Sequence, residues 1–170
     1  MSKTIIISIR PEYVCKILNG EKTIEIRKTK PKCELPCKVY IYCTMPNKQE
    51  NRKPHSWEVV WLKRVVAEFT LNKVDTLERD LNDWLPKNRY DISNDLLKNI
   101  NLNQNELWNY GQGKILYAWH IDDLKIYDKP KELSDFTRII DNSSGFWHYC
   151  HREKVTRPPQ SWMFVDNLEE

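Results

Sequence analysis

No apolar run in these 170 residues approaches the roughly 20 positions that a membrane-spanning helix requires. The first residues also lack the basic region and apolar stretch of a secretory leader. The expected location is therefore the cytosol, with no membrane partner. Internal repeats and low-complexity tracts are missing as well, and one folded domain over residues 1–170 is expected. Charge of one sign is scarce: 27 Lys and Arg against 24 Asp and Glu leave a formal +3 and a pI near 8.5. That permits a nucleic-acid partner without demanding one, since dedicated nucleic-acid domains often exceed a pI of about 9. An even cysteine complement is also lacking. Cys15, Cys33, Cys37, Cys43 and Cys150, with no leader before them, argue against a disulfide framework, so reduced thiols are the default.

What the chain does have is rings and a charged motif. Seven Trp and eight Tyr are many for this length and supply aromatic surface for a ligand. The motif is GEKTIEIR, Gly20 to Arg27. If Thr23 to Lys28 is a strand, Thr23, Glu25 and Arg27 share one face and Ile24 and Ile26 the other, because side chains alternate. A carboxylate and a guanidinium then stand roughly 7 Å apart with Lys22 at the mouth. The bland alternative is a salt-bridged strand on an outer wall, worth only about 0–1 kcal/mol if exposed.

Along the chain, Thr4 to Ile9 reads as a strand and Pro11 to Asn19 as a short helix, with Pro11 at its start, Glu12 in its first turn and Gly20 closing it. Lys38 to Thr44 alternates as a strand. Trp57 to Leu62 and Val65 to Leu71 are β-rich. The spacing of Leu77, Leu81 and Trp84 predicts a helix stopped by Pro86, and further helices are expected at Asn94 to Ile100 and Gln104 to Trp108. Strand character returns at Ile115 to Ile126, breaks at Lys129-Pro130, and resumes at Ser161 to Val165. Strands, then helices, then strands predict an α+β fold with a largely antiparallel, curled sheet.

G-x-K-x-x-E-x-R opening a strand after a helix resembles the signature of the ASCH domain, a relative of the PUA domains. Further segments extend the resemblance, among them KPKCELPCKVYIYCT, RVVAEFTLNKV, YAWHIDDLKIYDKPKEL and RPPQSW, so that it spans Ser8 to Trp162. It implies a small curled β-barrel decorated with helices, here with a helical insertion at about 75–113. It also implies a cleft that takes RNA or a modified nucleotide, with Lys22, Glu25 and Arg27 inside. One bacterial ASCH protein is an amidohydrolase that deacetylates N4-acetylcytidine using a lysine, a threonine and a glutamate. Lys22 matches that lysine, but Glu25 stands where its threonine would be, with Thr23 close by. Lys22, Thr23 and Glu25 are thus the catalytic candidates of an enzyme reading. Ribonuclease activity is a second precedent in the family, and a phage-type module with a host protein partner is a third reading.

Other candidates come from residue type. Tyr40, Tyr42, Trp119 and Trp162 lie on expected strands, where a ring can stack on a base for about 1–3 kcal/mol; Trp119 and Tyr42 lead because His120 and Thr44 flank them. His120 is read as a packed or surface histidine, with general base as the sharper alternative. RPPQSW holds Arg157, Gln160 and Ser161 around a proline-stiffened turn. The basic stretches Lys28 to Lys32 and Lys48 to Lys53 are solvated loops or phosphate contacts. Cys33, Cys37, His148, Cys150 and His151 have the donor types for zinc, but their spacing is loose, and no metal or cofactor is expected.

Overall fold

The computed structural model describes residues 4–46, 55–56, 59–81, 88–141 and 150–168. Strand β1 (Thr4–Ile9) is buried along its whole length, as a continuous isoleucine run requires. Helix α1 (Pro11–Leu18) follows, with Pro11, Val14 and Ile17 buried at helical spacing. Gly20, at φ +76°, then turns the chain back sharply into β2 (Ile24–Arg27). Next come β3 (Cys37–Cys43), β4 (Arg64–Leu71) and β5 (Val74–Leu77).

Two helices, α2 (Asn94–Ile100) and α3 (Gln104–Gly111), lead to β6 (Leu116–His120), β7 (Asp122–Lys131), β8 (Thr137–Asp141), β9 (Cys150–Lys154) and β10 (Trp162–Val165). Ser93 caps α2, and α3 opens on a capping box between Asn103 and Glu106.

The fold is α+β. Among the described residues the strands make separate sheets, ordered β10-β1-β3-β4-β7, β2-β6-β5 and β8-β9, and not one closed barrel. Pairing is antiparallel except between β1 and β3, which α1 and β2 connect as a crossover. The alternation of β3 divides two cores: Val39, Ile41 and Cys43 join one, Tyr40 and Tyr42 the other. A third core forms where Ile24 and Ile26 meet Ile100 and Leu107 of the helical pair.

Three sequence expectations change. The helix expected through Leu77 is absent there: Val74–Leu77 is a strand paired with β6, and Arg79 bridges to Tyr90. Its apolar spacing also fits a strand that buries Leu77, which local periodicity cannot separate from a helix over so few residues. Trp84 and the rest of that stretch, residues 82–87, lie outside the described residues. Residues 59–63 form a turn instead of a strand. Pro130, expected as a break, sits inside β7, which tolerates proline because it is an edge strand.

Candidate functional site

A hollow of about 550 Å³ lies where the end of β1, the edge strand β2, α1 and the helical pair converge. Lys22, Glu25, Ile26 and Arg27 line it and are buried, while Arg10, Lys28, Glu106, Tyr110 and Gln160 stand exposed at its rim. The alternation of β2 accounts for the floor: its isoleucines pack on the helices, and Glu25 and Arg27 share the other face.

Glu25 holds the three charges together. Its Oε2 lies 3.4 Å from the Lys22 ammonium and its Oε1 3.1 Å from Arg27 Nη2. Lys22 Nζ also donates to the Ile100 carbonyl at 2.7 Å, and Arg27 Nη2 to the Ser8 carbonyl at 2.6 Å. Burial pushes the Lys22 ammonium below its ordinary value, and Glu25 acts against that shift. These are not wall charges cancelling in water, since the three side chains are only 1%, 9% and 9% exposed.

Arg27 Nε is buried and has no hydrogen-bond partner, on a side chain that lines the hollow. Two tyrosines complete the walls. Lys22 Nζ stands 5.6 Å from the Tyr13 ring centre and Lys28 Nζ 4.9 Å from that of Tyr110, cation–π distances both. Burial raises both phenols, so they are neutral donors at physiological pH.

Two solved structures of an ASCH protein from Zymomonas mobilis share this architecture. The first is 20% identical, covers 96% of this chain and 88% of that chain, and superposes with a TM-score of 0.58. A point mutant of the same protein is 20% identical, covers 96% of this chain and 91% of its own, and gives 0.55. The fold is that of the ASCH domain. No protein-family model and no curated protein matches the sequence.

Within this ASCH fold the sequence candidates divide. Lys22, Glu25, Arg27, Gln160 and Ser161 come together in the hollow. Thr23 is exposed outside it, with its backbone tied to Asn99 and Ile121. Trp119 is paired across the sheet with Glu25 but is fully buried, its ring 6.0 Å from that of Trp162, so no base can reach it. Tyr42 is buried in the second core and borders a different hollow of about 430 Å³. Arg157 is exposed away from the lining.

Cys33 and Cys37 lie together, whereas Cys150 and His151 are on β9 and His148 is outside the described residues. No group of three or more metal-ligating side chains occurs among the described residues. Lys48, Arg52 and Lys53 also lie outside them. Sequence reading missed Ser8, Arg10, Tyr13, Thr44, Glu106 and Tyr110. Glu106 shows only its capping role in sequence, and the two tyrosines carry no local signal because they meet solely through the tertiary fold.

His120 pairs with Ile24 and so occupies the face of the sheet opposite Glu25. There its Nε2 lies 2.7 Å from Asp75 Oδ2, while Lys73 Nζ approaches Oδ1 at 2.9 Å. Burial alone would raise the Asp75 carboxyl, but the bonds and charges of Lys73 and His120 outweigh it and hold it below its usual range. A depressed folded-state value stabilises above the unfolded carboxyl's value of about 3.9 and is lost as pH falls through the lower, folded one. Urea unfolding of Asp75→Asn should therefore show a deficit against the parent at neutral pH that closes in strong acid; a deficit unchanged by pH would refute this.

Proposed function

We propose that the hollow binds one nucleotide unit, from RNA or as a modified nucleotide, with the base against Glu25 and the phosphate at the rim. The observation that carries this reading is a hollow lined by four basic and two acidic side chains, with the Glu25–Arg27 pair in its floor. That balance favours an anionic ligand. Phosphate oxygens suit the exposed Arg10 and Lys28 of the rim, where arginine matches such acceptors by its fork of donors. Glu25, fixed by two cations, accepts from an exocyclic amine. Tyr13 and Tyr110 offer faces for the base.

Desolvation of Lys22 favours a second reading, an amidohydrolase acting on an acylated nucleoside such as N4-acetylcytidine, since a desolvated lysine is the form that can serve as nucleophile or base. Against it, the ammonium already donates to the Ile100 carbonyl, and Thr23 stands outside the hollow.

Calorimetric titration with ribonucleoside monophosphates and short RNAs tests the binding reading. Rim variants Tyr110→Ala and Lys28→Ala, which leave the buried charges intact, should each weaken binding about tenfold, the first by losing a stacking contact and the second by losing a phosphate contact. Affinity should fall as salt rises. Absent binding, or affinity indifferent to both variants, would refute it. Acetate released from N4-acetylcytidine and lost in Lys22→Ala would promote the second reading.

A further inference from the structure

Cys33 and Cys37 belong to no role described above. Their sulfurs are 3.5 Å apart. Cys33 is half-buried in the loop after β2, and Cys37, 4% exposed, is the first residue of β3. The other cysteines lie on α1, at the far end of β3 and on β9. A disulfide needs its sulfurs at about 2.05 Å, so an approach of roughly 1.5 Å between the loop and the start of β3 completes it.

We propose that Cys33 and Cys37 form a reversible dithiol–disulfide site that reacts with low-molecular-weight disulfides of the oxidised-glutathione class. Cys33, the thiol that solvent reaches, loses its proton and attacks one sulfur of the reagent. The reagent S–S bond breaks, one reagent thiolate leaves and takes up a proton, and a mixed disulfide remains on Cys33. Cys37 then loses its proton and attacks the Cys33 sulfur, forming the internal S–S bond and expelling the second reagent thiol. The protein is oxidised by two electrons and the reagent disulfide is reduced to two thiols. The order is set by burial, which pushes the Cys37 thiol up to about 12, with its bond to Cys33 adding to the effect. Cys37 is thus a poor first attacker, and it is already beside the sulfur it must reach. The loop concerned begins beside Thr29, which lines the hollow and accepts a hydrogen bond from Trp162 Nε1 at 2.9 Å, so oxidation acts on the segment leaving the rim.

The test is incubation of the full chain with oxidised glutathione, alkylation of remaining thiols, and mass spectrometry of the tryptic peptide from Cys33 to Lys38, which contains both cysteines. The expected result is a peptide two hydrogens lighter and unalkylated, restored by dithiothreitol. Cys37→Ser should stop at a glutathione adduct on Cys33, and Cys33→Ser should leave Cys37 alkylatable under unfolding conditions. Glutathione on the exposed Cys150 while Cys33 and Cys37 both stay reduced overturns the proposal. So does an adduct on Cys33 of the parent protein that never resolves.

Discussion

Glu25→Ala is expected to lower the unfolding free energy by about 3–5 kcal/mol, the usual cost of removing one partner from a buried ion pair. Among the described residues, Glu25 is the carboxylate that pairs with both Lys22 and Arg27 in the floor of the hollow, and all three side chains are nine-tenths or more buried. Without it two cations face each other with no counter-charge. Against a total stability of order 5–15 kcal/mol, the urea midpoint should move far enough to be unmistakable. Replacing all three together, as Lys22→Met, Glu25→Leu and Arg27→Met, should recover most of that loss, because apolar groups of similar volume replace buried charges at little net cost. The triple variant should nonetheless bind no nucleotide. A loss below about 1 kcal/mol in Glu25→Ala would mean that water screens these charges as it does surface pairs.

Trp119→Ala is expected to cost a similar 3–5 kcal/mol, for a different reason. The ring is wholly buried, and Trp162 and the core of β1, β3 and β4 pack around it. Truncation leaves a cavity that strands on several sides cannot close. Trp119→Phe should be far milder, within about 1 kcal/mol, since the indole Nε1 has no acceptor and its removal relieves an unmade hydrogen bond. Chemical denaturation of both variants decides it. A Trp119→Ala protein of parental stability that loses ligand would show the ring to be a stacking platform after all.

Trp119 also marks the limit of sequence reading. Flanking polar residues made it a candidate for an exposed ring, but register fixes its surroundings: it pairs with Glu25 on one face while His120 pairs with Ile24 on the other. Local pattern yields such alternation and cannot tell which sheet face is covered. The GEKTIEIR floor was legible because strand periodicity and charge coincide within eight residues. Tyr13 and Tyr110, 97 positions apart, were not, because only the packing of α3 against β2 brings them to one hollow. The β1 segment was legible from its unbroken isoleucine run and α1 from Pro11, Gly20 and the helical spacing of Val14 and Ile17, whereas Val74–Leu77 has too few residues to distinguish a strand from a helical turn.

The end of α2 is gripped twice, by Lys22 at the Ile100 carbonyl and by Lys16 at Asn101 Oδ1, 2.7 Å each. That double tether pins the wall bearing Leu102, Glu106 and Tyr110 before any visitor arrives. For the proposed nucleotide ligand this amounts to a ready-made seat: little ordering entropy should be lost on arrival, and association should run at the speed of encounter without waiting on a closing motion.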